Sequence, residues 1–328
     1  MATLTITNAY EAHFPPYDDP TGITDIVFQT STATSIALFD AYQFDDVHIS
    51  STVHITGDAN ANEIHISTFG APDNSFSAAG WTFDNWDSAD IVSFFGTDDN
   101  DTIVGSAFND VIQSNDGGDA LYGGAGNDTF LFNAYGELPF VPADVVDGGD
   151  DFDVVAYSDF TPDQEAFFYF MQFNEVEELD VAAYLDGSIT LYFSDDQIGG
   201  TGGFTTVKEV VSGGQFNLIV KGHDVDLSNV AFINWTAGIF NPANTITIDG
   251  QGTTAGTLIG SELNDTIIGG DQGDTLDGGE SADSMAGGMA TTPISSTTMA
   301  IRFSSNRTQA PTRSSRTSTS PCHRMSRS

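Results

Sequence analysis

Seven aspartates recur at nine-residue spacing in two stretches of the chain. Four consecutive blocks of nine over residues 96–131 and three over 260–286 carry aspartate at their sixth position: Asp101, Asp110, Asp119, Asp128, Asp265, Asp274 and Asp283. The eighth position is apolar in every block: Ile103, Ile112, Leu121, Phe130, Ile267, Leu276 and Met285. Carboxylates are hard oxygen ligands of the kind that Ca²⁺ prefers. The aspartates are therefore candidate ligands for a hard cation such as Ca²⁺.

The loop part of each block is rich in glycine. The glycines that we predict to shape the metal sites are Gly96, Gly105, Gly117, Gly123, Gly124, Gly126, Gly260, Gly269, Gly270, Gly278 and Gly279. Glycine tolerates positive φ and so lets backbone carbonyls turn toward one point. Together with the aspartates, these carbonyls form the predicted ligand set.

The blocks resemble the RTX (hemolysin-type) repeat G-G-x-G-x-D-x-U-x, a calcium-binding nonapeptide. The resemblance implies a parallel β-roll in which positions seven to nine form a short strand. The loops alternate between two sides of the roll, and each ion sits between loops eighteen residues apart. On that scheme the pairs are Asp101 with Asp119, Asp110 with Asp128, and Asp265 with Asp283, while Asp274 faces Thr292.

The fourth position departs from the repeat. Only Gly117 and Gly126 are glycine there, and the other blocks carry Asp99, Phe108, Leu263, Gln272 and Ser281. If the position supplies only a carbonyl, a side chain is tolerated. If it needs a left-handed backbone, those sites bind more weakly.

The excess of acidic residues limits the kinds of molecule that the chain can bind. The chain has 47 acidic and 8 basic residues, and all six arginines follow residue 300, so residues 1–288 carry 47 acids and two lysines. Such a body disfavours nucleic acid and anionic membranes as partners and calls for cations. Cys322 is the one cysteine, so no disulfide is expected. The N-terminus lacks the features of a cleaved signal peptide, and no apolar run is long enough to span a membrane.

We predict an all-β protein with two β-rolls and β-rich flanking regions. The predicted divisions are a β-rich region at 1–95, a first roll at 96–131, a β-rich middle at 132–250, a second, truncated roll at 251–288 and a basic, disordered tail at 289–328. The middle contains one isolated repeat-like turn at 148–156, whose Asp153 we interpret as an ordinary turn residue. Residues 162–180 are the one candidate helix.

The tail has the marks of a frameshift. Acidic residues vanish after 288 and arginines appear. Met is always encoded by ATG and Ala by GCN. A frame that starts at the third base of the Met289 codon therefore reads GGC through Met289-Ala290, which encodes glycine. In this frame the following codons allow the sequence Gly-Gly-x-Gly-Asp-Asp-Thr-Tyr, which would complete the interrupted repeat. The alternative is a genuine basic tail.

No catalytic signature accompanies the repeats. H-E-x-x-H, G-x-S-x-G, P-loop and dinucleotide-binding motifs are absent from the sequence, so we expect no enzymatic activity. A zinc site at His48, His54 and His65 is one alternative to exposed strand residues. A sugar-binding platform at Trp81, Phe83, Trp86, Phe94 and Phe95 is an alternative to ring packing in the core.

The expected function is calcium-triggered folding of a secreted protein. The resemblance implies type I secretion through an uncleaved C-terminal signal, which a frameshifted tail would lack. Two alternatives stay open: an extracellular adhesion or biofilm matrix protein that binds a cell-surface or matrix glycan, and a remnant of a larger enzyme.

Overall fold

The computed structural model describes residues 2–7, 10–12, 21–31, 34–134, 144–159, 164–183, 188–199, 203–211, 214–235, 244–252, 254–288, 294–295 and 302–303. Apart from these last four residues, the predicted tail at 289–328 lies outside the described part of the chain.

Short strands with alternating side chains make up almost all of the described structure. In Ser188–Ser194, for example, Ile189, Leu191 and Phe193 point inward and the residues between them point outward. Such period-two alternation is the property of a strand with one buried face. Three 3-10 turns interrupt the pattern, at Ala41–Gln43, Pro72–Asn74 and Phe168–Phe170.

The strands before and within the first array are β1 (Ala2–Ile6), β2 (Tyr10–Ala12), β3 (Ile23–Phe28), β4 (Thr34–Asp40), β5 (Ile49–Thr56), β6 (Ala61–Ser67), β7 (Ser75–Ser77), β8 (Thr82–Asp84), β9 (Ile91–Phe95), β10 (Thr102–Val104), β11 (Asp110–Gln113), β12 (Ala120–Ala125) and β13 (Thr129–Ala134). Those of the middle region are β14 (Val145–Asp150), β15 (Val154–Asp159), β16 (Gln164–Phe167), β17 (Gln172–Asn174), β18 (Glu178–Ala183), β19 (Ser188–Ser194), β20 (Thr206–Val211), β21 (Gln215–Gly222), β22 (Val225–Asp226), β23 (Ala231–Ile233) and β24 (Thr245–Gly250). The last are β25 (Thr257–Ile259), β26 (Asp265–Ile268), β27 (Thr275–Asp277), β28 (Ser284–Ala286), β29 (Ile294–Ser295) and β30 (Arg302–Phe303).

These strands form a parallel β-solenoid. Every pairing between named strands in the described residues is parallel. The longest sheet has ten strands, in the order β2-β4-β6-β9-β11-β13-β15-β18-β20-β23. The others are β1-β3-β5-β8, β7-β10-β12-β14-β17, β16-β19-β21-β24-β26-β28-β30 and β22-β25-β27-β29. The predicted all-β, parallel roll architecture is confirmed.

Successive nonapeptides alternate between two sheets. β10 and β12 lie in the five-stranded sheet, whereas β11 and β13 lie in the ten-stranded sheet. Strands eighteen residues apart pair in register, with Ile103 opposite Leu121 and Ile112 opposite Phe130. The apolar eighth positions therefore stack into the interior, where all seven are at most 1% exposed. Each such side chain contributes about 1.5–3 kcal/mol by leaving water.

The regions outside the arrays belong to the same solenoid. β14 pairs with β12, and β15 pairs with β13, so the repeat-like turn at 148–156 is a continuation of the first array and not an isolated turn. The ten-stranded sheet runs from β2 in the N-terminal region to β23 in the middle region without a break in its order.

The prediction of a helix at 162–180 is wrong for residues 164–180, which the structure describes. Residues 164–180 form β16, a 3-10 turn, β17 and the start of β18. The aromatic residues belong to strands and corners: Phe168 and Phe173 are buried, while Phe167 on the other face of β16 is not. Pairing of β16 with β19 and of β18 with β15 outweighs any local helical preference.

None of the helical segments among the described residues has the length and apolar character needed to cross a membrane.

Candidate metal centre

The position-six aspartates stack on one another along both edges of the first array. The backbone N–H of Asp101 donates to Oδ1 of Asp119 at 2.8 Å. On the other side, the N–H of Asp110 donates to Oδ1 of Asp128 at 2.8 Å. All four aspartates are at most 2% exposed. The structure thus brings together the residues that the nine-residue spacing places eighteen apart.

The second array repeats this arrangement. The N–H of Asp265 donates to Oδ1 of Asp283 at 3.2 Å, and the N–H of Gly256 donates to Oδ1 of Asp274 at 3.0 Å. These three aspartates are at most 5% exposed. In both arrays, Oδ1 of the later aspartate of each pair therefore accepts an N–H from the preceding coil.

The residue at position two decides what happens to Oδ2. Where that residue is Thr97, Ser106 or Ser261, its backbone N–H donates to Oδ2 of the aspartate four residues later, at 2.7, 2.6 and 2.8 Å. Its hydroxyl also donates to the same carboxylate. Asp101, Asp110 and Asp265 are consequently satisfied within their own loops.

The other loops differ. Among the described residues, no donor bonds to the buried Oδ2 atoms of Asp119, Asp128, Asp274 and Asp283. The last three follow paired glycines, at Gly123-Gly124, Gly269-Gly270 and Gly278-Gly279, whereas Asp119 follows Ser114-Asn115. A buried carboxylate oxygen without a partner costs free energy. An unpaired anionic oxygen of this kind is suited to a hard cation.

Backbone carbonyls line the same cradles. A Cβ placed on Gly123 would lie 2.2 Å from Oδ2 of Asp128 and 2.5 Å from the carbonyl oxygen of Gly148. At Gly105 it would lie 2.5 Å from Oδ2 of Asp110 and 2.2 Å from the carbonyl oxygen of Gly123. In these two loops glycine is required at position one, because a carboxylate and the carbonyl of the next coil both approach it.

Carboxylate and carbonyl oxygens fit Ca²⁺, which accepts about six to eight such ligands. Within the described residues, no three side chains of His, Cys, Asp or Glu converge as a metal site. A cation in these loops would accordingly take one carboxylate from a repeat and most of its other ligands from main-chain carbonyls.

Position four does not generally need a left-handed backbone. Gly117 and Gly126 have φ of 141° and 114°, and Ser281 has φ of 69°. Asp99, Phe108, Leu263 and Gln272 are not among the residues with positive φ. A side chain at position four is therefore compatible with four of the loops, and Ser281 is the one non-glycine residue there that adopts the strained conformation.

In the absence of a cation, burial disfavours the ionised form of these aspartates. Burial raises the pKa of Asp128 to about 8, and the negative charges of Asp153 and Asp151 add to the effect. It also raises the pKa of Asp119 and of Asp265 to about 7. The pKa of Asp110 is raised well above its usual value by burial and by the charge of Asp128. A bound divalent cation would reverse this preference.

Three acidic residues extend the stacks beyond the predicted sites. The N–H of Asp119 donates to Oδ1 of Asp144 at 2.9 Å, and the N–H of Asp128 donates to Oδ1 of Asp153 at 2.8 Å. Further along, the N–H of Asp153 donates to Oε2 of Glu177 at 2.8 Å. Asp144 was not predicted, and Asp153 was interpreted as an ordinary turn residue; both lie 25 residues after their partners, not 18. Their shared offset is the signal that identifies them.

A comparison of the sequence with protein families agrees with this geometry. The model for the RTX calcium-binding nonapeptide repeat matches residues 95–130 and 259–289, in four copies. The chain carries RTX calcium-binding repeats. No curated protein and no solved structure matches the chain. The RTX repeats support calcium binding, and the ligand residues within each loop remain predictions.

The histidines do not form the alternative zinc site. Nδ1 of His48 lies 2.9 Å from Oδ2 of Asp45, in the loop before β5. Nδ1 of His54 lies 2.9 Å from Oγ1 of Thr82. His65 is on another sheet, with Nε2 3.1 Å from Oε2 of Glu63. Each histidine has its own partner, as exposed strand and loop residues do.

The alternative of a sugar-binding platform at residues 81–95 is wrong for its two tryptophans and for Phe94. Trp81 and Trp86 are 4% and 6% exposed, and Phe94 is fully buried. Phe83 is partly buried and packs against the core, with its ring 5.3 Å from that of Trp86. The three buried rings fill the interior of the solenoid, as the interpretation of ring packing in the core predicts.

Proposed function

We propose that this protein works outside the cell as a calcium-binding solenoid whose repeat loops fold when Ca²⁺ binds. One observation carries the proposal: the loops that begin with paired glycines bury a carboxylate oxygen that accepts no hydrogen bond from the described residues. That oxygen faces carbonyls of the next coil across a glycine, as in Gly123 with Asp128 and Gly148.

The energetics favour coupling between binding and folding. Without the ion, folding must bury stacked aspartates whose neutral form is favoured, and residues 1–288 carry only two lysines against 47 acids. A ligand that binds the folded chain alone adds its binding free energy to stability. Extracellular calcium modules bind at about 10⁻⁴–10⁻³ M, well above cytosolic Ca²⁺ levels.

Export follows from the same argument. A chain that stays unfolded at low calcium suits passage through a secretion channel and folds on arrival. Detection of the protein in the culture medium tests this part separately. Retention in the cell would contradict it and leave calcium binding untouched.

Far-UV circular dichroism of the full chain tests the central proposal. We expect β-structure to be low in EGTA and to rise cooperatively at about millimolar Ca²⁺. Mg²⁺ at the same concentration is the control, because it demands compact octahedral coordination. Equal spectra in EGTA, Mg²⁺ and Ca²⁺ would overturn the proposal.

Adhesion to a glycan is a second candidate, favoured by an outward aromatic cluster on the seven-stranded sheet. The rings of Phe167 and Tyr192 stack with centroids 4.8 Å apart. Tyr169 and Phe170 lie beside them and are 37% and 49% exposed. Planar exposed rings suit the apolar faces of sugars.

Binding of the full chain to immobilised neutral oligosaccharides, before and after Tyr192→Ala, tests this candidate. Loss of binding in the variant supports it. Absence of binding by the unaltered chain contradicts it.

A further inference from the structure

The turn formed by residues 148–153 and its neighbour at 175–177 lie outside the matched repeats, yet they reproduce the geometry of the repeat loops. The turn begins with paired glycines, Gly148 and Gly149, and ends in Asp153. Asp153 is fully buried. Among the described residues, none donates a hydrogen bond to its Oδ2.

The cradle around Gly148 matches the cradle around Gly123. A Cβ on Gly148 would lie 2.3 Å from Oδ2 of Asp153 and 2.0 Å from the carbonyl oxygen of Glu175. The corresponding distances at Gly123 are 2.2 Å to Oδ2 of Asp128 and 2.5 Å to the next-coil carbonyl. The carbonyl of Glu175, whose φ is 50°, takes the place that a repeat glycine holds elsewhere.

A second carboxylate closes the coil on its far side. Oε2 of Glu177 accepts the N–H of Asp153, as Oδ1 of Asp153 accepts the N–H of Asp128. The negative charges of Glu177, Asp151 and Asp147 all act on Asp153. A buried anionic oxygen in such a field needs a counterion.

The stack ends one coil later. The residue opposite Glu177 in the next coil is Thr205, which has no carboxylate. Nζ of Lys208 then lies 2.7 Å from Oε1 of Glu178 and 3.1 Å from Oδ1 of Asp180. From this coil on, a lysine compensates the acidic residues of the ten-stranded sheet.

We propose that residues 148–153 and 175–177 form an additional Ca²⁺ site, with the Asp153 carboxylate and the Glu175 carbonyl as ligands and Glu177 as the flanking carboxylate. The site rests on the proposed function, because it takes the same ion as the arrays. Its consequence is distinct: Ca²⁺ ties β15 and β18 of the middle region to the first array, so folding continues past the last matched repeat.

The test counts bound Ca²⁺ by equilibrium dialysis of the full chain. Asp153→Asn keeps an Oδ1 acceptor for the N–H of Asp128 and removes the charge. We expect it to bind one Ca²⁺ fewer than the unaltered chain. Asp73→Asn, at an exposed position outside the stacks, removes the same charge and is expected to bind the full number.

The outcomes separate the two proposals. If the unaltered chain takes up no Ca²⁺, the proposed function and this site both fail. If the unaltered chain binds Ca²⁺ and Asp153→Asn binds the same number, only this site fails.

Hydrogen exchange provides a second measurement that does not depend on the variant. In the unaltered chain, amides of β15 and β18 are expected to gain protection with Ca²⁺ and not with Mg²⁺. Equal exchange of these strands in both ions would overturn the site even if Asp153→Asn fails to fold.

Discussion

The backbone N–H of Asp128 donates to Oδ1 of Asp153 at 2.8 Å, although Asp128 lies in a matched repeat and Asp153 lies outside the matched residues. The same bond joins Asp110 to Asp128 inside the array. The acidic stack is thus a property of the solenoid and is not confined to the stretch where the nine-residue spacing holds.

The two kinds of loop predict different effects of removing a carboxylate. Asp128→Asn keeps the acceptor for the N–H of Asp110 but loses the unpaired Oδ2 charge, so we expect Ca²⁺ affinity to fall by about tenfold or more, or at least ~1.4 kcal/mol. Asp110→Asn alters a carboxylate that Ser106 already satisfies. We expect it to lower affinity less.

Isothermal titration calorimetry of both variants measures the affinities. An affinity loss at Asp110 equal to or larger than that at Asp128 would contradict the distinction between glycine-paired loops and serine or threonine loops.

The sequence predicted the part of the fold that repeats at short range. Position eight is apolar in every block and stacks inside, because an eighteen-residue coil leaves little freedom in register. The longer coils were harder to predict. Glu165 pairs with Thr190 and Thr190 with Asn217, at separations of 25 and 27 residues, so no fixed period identifies them. Asp153 was interpreted as a turn residue because its turn stands alone and has Asp151 where the repeat has its fourth-position glycine, although its partner Asp128 lies 25 residues away.

Stability without calcium should depend on pH in a defined direction. Burial raises the pKa of Asp128 to about 8 and that of Asp119 and Asp265 to about 7, whereas an unfolded aspartate titrates near about 3.9. The folded chain therefore binds more protons than the unfolded chain between about pH 4 and 8. Stability in EGTA should be greatest below about pH 4 and fall as the pH rises through this window.

Far-UV circular dichroism in EGTA across this pH range checks the direction: β-structure should be greatest at low pH and fall as the pH rises. With saturating Ca²⁺ the fall should be reduced, because the ion replaces the protons, and binding near neutral pH should release protons into the buffer. β-structure in EGTA that increases from about pH 5 to 8 would contradict the prediction.

Lys208 should matter more than the other lysine of the body. Its ammonium group donates hydrogen bonds to Glu178, which is 8% exposed, and to Asp180. Both contacts offset negative charge on the ten-stranded sheet. Lys208→Met should cost about 1–3 kcal/mol of unfolding free energy, because it leaves two carboxylates close together without a cation. Lys221→Met is the matched control, since Lys221 lies over the ring of Tyr192 at 4.9 Å and should cost less than about 1 kcal/mol.

Chemical denaturation of both variants in saturating Ca²⁺ provides the comparison. Equal losses for Lys208→Met and Lys221→Met would show that the pairing with Glu178 and Asp180 adds nothing to stability.

A cavity in the apolar stack should destabilise only the neighbouring coils. Leu121 is fully buried between Ile103 and Val146 on adjacent strands. Leu121→Ala should cost about 2–5 kcal/mol, the usual penalty for a cavity in a packed core. Each coil of a solenoid contacts only its neighbours. Hydrogen exchange in Ca²⁺ should therefore increase in β10, β12 and β14 and remain unchanged in β24.

Tyr122→Ala, one residue along the same strand but 38% exposed, is the control and should cost much less. A uniform increase in exchange across all strands would mean that the solenoid unfolds as one unit, against the expectation from its one-dimensional contacts.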